Sequence, residues 1–186
     1  MKTRQLTFKT IWGKLGTVAI FIGMLLIFSL FAPKTFLAWS NLKQIATQSS
    51  TTMLIACGEF FAILVAGIDL SVGSIVALSG MITAKLMINF GMDVLSAFLI
   101  GSVLFGLLLG AINGILINVT NVHPFIITLG TQAVYRALTL ILSNAQASFG
   151  FPGVFSKFFG GVWNGIPMSV FVALVVAALM WFITSK

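Results

Sequence analysis

GIDLSVGS, residues 67–74, lies between two runs of apolar residues long enough to enter a bilayer. One carboxylate (Asp69), two hydroxyls (Ser71, Ser74) and two glycines (Gly67, Gly73) interrupt what is otherwise hydrocarbon. A charge at membrane depth is costly, tends to face protein or water, and usually marks function. The reading of these eight residues decides whether the chain is a set of plain helices or contains a broken one.

Working outward, 59% of the 186 residues are hydrophobic and only 7% are charged, against about 25% charged in a soluble domain. That composition belongs to an integral membrane protein. The formal net charge of +7 does not point to nucleic acid, because the basic residues form no stripe or cluster on a polar domain. Lys2, Arg4, Lys9 and Lys14 precede the first apolar run, which predicts a cytoplasmic N-terminus. The run at 15–32 is too long for the hydrophobic region of a cleaved signal and has no small-x-small site after it, so it reads as an uncleaved span. The single cysteine, Cys57, excludes an internal disulfide and reads as a small buried hydrophobe.

Apolar segments fall at about 12–32, 51–66, 72–90, 94–119, 125–142 and 167–184. None shows the alternation of barrel strands, so the expected fold is all-α: a polytopic transmembrane helical bundle of about six spans in one domain. Six spans return Lys186 to the cytoplasmic side; if 51–90 is one long broken span there are five, and Lys186 lies outside. From Asn41, the spacing of Leu42, Ile45 and Ala46 predicts a separate interfacial helix. Residues 143–166, with five glycines and one charge, predict a loop folded onto the membrane surface.

Two readings of GIDLSVGS stand together. In one, Gly67 ends a helix and Asp69 caps the next, accepting from the amide of Ser71 or Val72. In the other, the same break lies at membrane depth, where exposed amides and carbonyls are tolerated only against a cavity or protein, and where transporters place substrate paths and hinges. Glu59, in mid-segment, calls for an intramembrane partner, and Arg136 and Lys85 are the cations within reach by sequence. Gly106, Gly110 and Gly114 form a small-xxx-small face expected to pack against a neighbouring helix, with Asn113 beside it able to bond across helices. His123, preceding Pro124, is pushed out of helical geometry and has no second histidine or cysteine pair with which to hold a metal. No zinc-protease, nucleophile-elbow or P-loop motif occurs, so neither catalysis nor a cofactor is expected.

The stretch VAGIDLSVGSIVALSGMITAKLM (65–87) resembles the most recognisable segment of the membrane permeases of bacterial ABC sugar importers, in the ribose/galactose/xylose-type branch. GAINGILINVTNVHPFIITLGTQAVYRALTLILS (110–143) is a second match, including Pro124, Phe125, Thr128 and Gly130 of its Pro-Phe-Ile-x-Thr-Leu-Gly run. Within the branch, SNAQASFGF (143–151) and HPFIITLGT are most similar to D-allose permeases. The resemblance implies a non-catalytic subunit in the bacterial inner membrane. Its expected partners are a second permease copy, cytoplasmic ABC ATPase subunits, a periplasmic sugar-binding protein and the lipid bilayer. Gly67, Asp69, Ser71, Gly73 and Ser74 are then expected at a hinge or on the path of a monosaccharide such as D-allose or ribose. Family members are longer and continue through an ATPase-contacting segment with Gly-Arg and Gly-Gly-Asn motifs, so the resemblance implies the N-terminal part of a permease and favours six spans. The residues alone also allow a proton-coupled carrier using Glu59 and Asp69, or a membrane protein that only packs helices.

Overall fold

A computed structural model describes residues 8–65 and 67–185 of the chain. Lys2, Arg4 and Lys186, on which the charge argument for topology leans, lie outside the described residues. The chain divides into two compact units, 1–46 and 47–186. The first holds α1 (Phe8–Phe31), the one-turn α2 (Pro33–Phe36) and the start of α3 (Trp39–Leu64). Pro33 opens α2 at a position where its missing N–H costs nothing. Asn41 Nδ2 donates to Phe36 O at 2.9 Å, fixing the entry of α3.

The expected interfacial helix at 41 is not separate. The polar run from Gln44 to Thr52 continues as helix into the apolar stretch beyond it. Ser50, Thr51 and Thr52 hydroxyls bond back to carbonyls three or four residues earlier, so no polar side chain competes to end the helix.

In the second unit, α4 (Val72–Ile88) is the central element. It packs most extensively on α7 (Pro124–Ser143) and on the helical run Val94–Thr120. That run begins as α5 (Val94–Ala97), widens into a π-helical segment at Phe98–Leu104, and finishes as α6 (Phe105–Thr120). Ser74, Ser79, Thr83 and Ala84 of α4 are buried on its packed face. Small side chains there let helices approach closely, the usual basis of packing where lipid removes any hydrophobic drive between them. Leu78, Leu109 and Tyr135 form the apolar core, with Ile75 and Ile82 against it. The outward surface is strongly apolar: Leu107, Val119, Ile141 and Trp181 are each more than two-thirds exposed, which suits lipid and not water.

Val94–Thr120 and Pro124–Ser143 are long and apolar enough to cross a membrane. At 1.5 Å per residue the first of these is about 40 Å long, longer than a hydrocarbon core of about 30 Å, which favours tilt. The run at 143–166 is more ordered than a surface loop. It contains α8 (Gly153–Phe159) and a two-residue antiparallel hairpin, β1 (Val162–Trp163) with β2 (Ile166–Pro167), before α9 (Met168–Thr184). Stacked rings at Phe151, Phe155 and Phe159 hold α8, and Asn164 and Gly165, both at positive φ, make the hairpin turn.

Candidate functional site: the break between α3 and α4

The helix α3 stops at Leu64, and Gly67 N donates back to Ala62 O at 2.9 Å. Gly67 is needed for closeness, not for a left-handed turn. A Cβ there would lie 3.3 Å from Ala62 O and 3.6 Å from Cβ of Pro124.

Between Gly67 and the first turn of α4, side chains from two other elements, α3 and α7, and from Asp69 within the segment satisfy the backbone. Asp69 N donates to Glu59 Oε1 of α3 at 3.1 Å. Leu70 N donates to Thr128 Oγ1 of α7 at 3.2 Å, and the Thr128 hydroxyl lies 3.1 Å from Ile68 O and 3.3 Å from Phe125 O. Ser71 N donates to Asp69 Oδ1 at 2.8 Å, one of the two alternative capping bonds expected from sequence. Ser71 O then accepts from the amides of Ser74 and Ile75 and from the Ser74 hydroxyl, which starts α4. A helix break among apolar helices persists only when its freed amides and carbonyls find such partners.

A second chain of bonds runs inward. Ser71 Oγ donates to Asp69 Oδ1 at 2.6 Å, so it must accept from Asn113 Nδ2, also at 2.6 Å. That fixes the amide of Asn113 with its oxygen toward Tyr135 OH, 3.3 Å away, where Leu109 O lies 3.2 Å from the same hydroxyl. Ser71, Asn113, Thr128 and Tyr135 are all buried. Sequence reading singled out every member of this network except Tyr135, and its signal was only an isolated hydroxyl in an apolar helix.

Several expected residues sit elsewhere. Glu59 has no ion pair with Lys85 or Arg136 among the described residues; the backbone of Asp69 takes the place of a cation, and Arg136 is exposed. Gly106, Gly110 and Gly114 face open space. The close helix contact on this run is at Gly101 instead, where a Cβ would collide with the backbone of Thr83. Gly73 lies in the first turn of α4 and Gly130 within α7, each with room for a Cβ, so neither position requires glycine in this conformation. Phe125 is exposed at the start of α7, and its amide donates to His123 Nδ1 at 3.3 Å, making His123 the cap of that helix. Cys57 is half-buried, in an apolar groove with Phe60 of α3 and Trp181 of α9. No group of three metal-binding side chains occurs among the described residues. The arrangement has no nucleophile paired with a base; it holds a helix break rigidly against three helices.

Residues 41–186 match the family described as branched-chain amino acid transport system / permease component. The chain belongs to that family. Its relatives include the D-allose transport system permease protein of Escherichia coli, 51% identical over 183 residues, covering 98% of this chain and 56% of the relative. The ribose import permease protein of Haemophilus influenzae is 36% identical over 154 residues, covering 80% of this chain and 46% of the relative. The galactose/methyl galactoside import permease protein of Salmonella typhimurium is 32% identical over 193 residues, covering 94% and 57%. The chain thus spans about half the length of the curated relatives it matches. No solved structure matches it. The break, together with α6 and α7, lies within the part that matches the family.

Proposed function

We propose that the chain provides part of the transmembrane path of an ATP-driven importer of a monosaccharide such as D-allose or ribose, and that the break between α3 and α4, with Gly67, Asp69, Ser71, Gly73 and Ser74, is the hinge of that path. The observation that carries this reading is the side-chain satisfaction of the break. Three helices contribute hydrogen bonds to hold one short non-helical segment, an arrangement that a plain connecting turn in the headgroups, with water at hand, does not need. The scarcity of ionisable groups suits a neutral cargo, and the relatives named above are sugar permeases. In this reading a second copy completes the path, ATP is hydrolysed on cytoplasmic partner chains and a periplasmic protein delivers the sugar. The six helical segments cross the bacterial inner membrane with the N-terminus inside.

The test uses a complete permease carrying these residues, reconstituted in liposomes with its ATPase and binding protein. Uptake should require ATP, persist when the proton gradient is collapsed, and survive Glu59→Gln. Asp69→Ala removes a cap of about 0.5–2 kcal/mol, so assembly should hold while uptake per assembled complex falls steeply. Loss of uptake on adding a protonophore at constant ATP would overturn the proposal in favour of a proton-coupled carrier.

A further inference from the structure

At the opposite end of α4 from the break, about 25 Å along the helix at 1.5 Å per residue, lies a cavity of about 220 Å³. Its walls come from the last turn of α4, with Lys85 and Asn89, and from the turn after α7, with Asn144, Gln146 and Ser148; Phe149 stands at its edge and is 80% exposed. Asn144 and Ala145 both adopt left-handed backbone, at φ 51° and 54°, a conformation alanine seldom takes. The reversal they make brings Asn144, Gln146 and Ser148 onto one wall.

We propose that this cavity is a monosaccharide subsite at the mouth of the pathway; the inference rests on the permease reading above. Three carboxamides each offer two donors and an acceptor, and the Lys85 ammonium adds further donors. A sugar presents neighbouring hydroxyls that both donate and accept, so every wall group finds a complement. The ionised oxygens of a phosphodiester only accept, and would leave the amide carbonyls without donors. Lys85 has no carboxylate partner among the described residues: Glu59, Asp69 and Asp93 bond to groups outside the cavity. The electron-rich face of the exposed Phe149 ring suits the positively polarised C–H face of a pyranose. The volume lies below the roughly 300–1,000 Å³ of drug-sized sites, as one small polar molecule requires.

The experiment uses the complete permease with its ATPase and binding protein in liposomes, in a Cys57→Ser background. Gln146→Cys and, separately, Ser148→Cys are labelled by a membrane-impermeant maleimide while D-allose is titrated without ATP. Occupancy should slow labelling by the factor 1 + [sugar]/Kd, about tenfold at nine times Kd, whereas sodium chloride of matched osmolarity leaves it unchanged. In the unmutated complex, D-allose should also slow hydrogen exchange of amides 144–149, a readout independent of the cysteines. Unchanged exchange and unprotected labelling, in complexes that import the sugar with ATP, overturn the subsite and leave the permease reading standing. Protection that follows phosphatidylglycerol content instead of sugar overturns it in favour of a lipid. Failure of ATP to drive import of any sugar overturns the permease reading itself.

Discussion

The hydroxyl of Thr128 answers for two backbone groups at once, accepting from Leu70 N and reaching Ile68 O. Thr128→Val keeps the shape and removes both bonds, leaving the part-buried amide of Leu70 and the carbonyl of Ile68 without this partner. The expected cost is about 1–3 kcal/mol, read as a lower thermal midpoint in detergent, while Thr128→Ser should stay near the starting value. A second residue-scale expectation concerns Asp93, whose carboxylate accepts from Ser96 N at 3.0 Å and caps α5. That bond holds its pKa below the ordinary carboxylate value. The local stabilisation is therefore fully present above the ordinary value and is lost as pH falls through the lowered one. Protection of the Ser96 amide from exchange should disappear only in that acidic window, and Asp93→Ala should remove the dependence. The cap at Asp69-Leu-Ser was readable because its donor lies two residues away. The bonds from Thr128 and Asn113 were not, because partners 58 and 42 residues apart leave no local pattern.

Helices also differ in how much of them hydropathy discloses. A helix lies within each apolar segment, since backbone groups away from water must be satisfied inside the segment itself. The π turn at Phe98–Leu104 left no such trace: it depends on Gly101 lying against Thr83 and on Ser102 Oγ meeting Thr83 Oγ1 at 2.8 Å. The glycine in close contact within this chain, Gly101, lies outside the Gly106, Gly110, Gly114 series, which faces open space. Gly101→Ala should cost about 1–3 kcal/mol through overpacking. Gly110→Ala should be neutral or stabilise by up to about 1 kcal/mol, since a helix interior prefers alanine. Thermal midpoints of the two variants check this, and equal losses would reject it. At 143–166 the aromatic stacks and positive-φ turn gave order where glycine content alone suggested a loop.

For the whole molecule, the proposed six-span topology makes a prediction that labelling can check. Single cysteines at positions 2, 122 and 186, in a Cys57-less background, should react only from the cytoplasmic side, and one at 155 only from outside. Reaction of position 186 from outside alone would leave five spans. The membrane class was evident from composition because hydrocarbon must be met by apolar surface whatever the fold. Which helices touch was not evident, because in lipid the outside of every helix looks alike and small buried groups such as Ser71 and Thr83 choose the neighbours.

The long reach of the bonds at the break has a consequence for biogenesis. Ile68 and Thr128 are 60 residues apart, and at roughly 5–20 residues per second of synthesis the ribosome needs about 3–12 s to make the second after the first. For that interval the break and then α4 have been synthesised while the part of α7 that will shelter them has not. The nascent helix must wait beside the insertion machinery, or at the membrane surface, until its partners arrive. Slowing elongation between codons 70 and 128 should therefore lengthen the exposure of this segment to proteases far more than the same delay placed after codon 143.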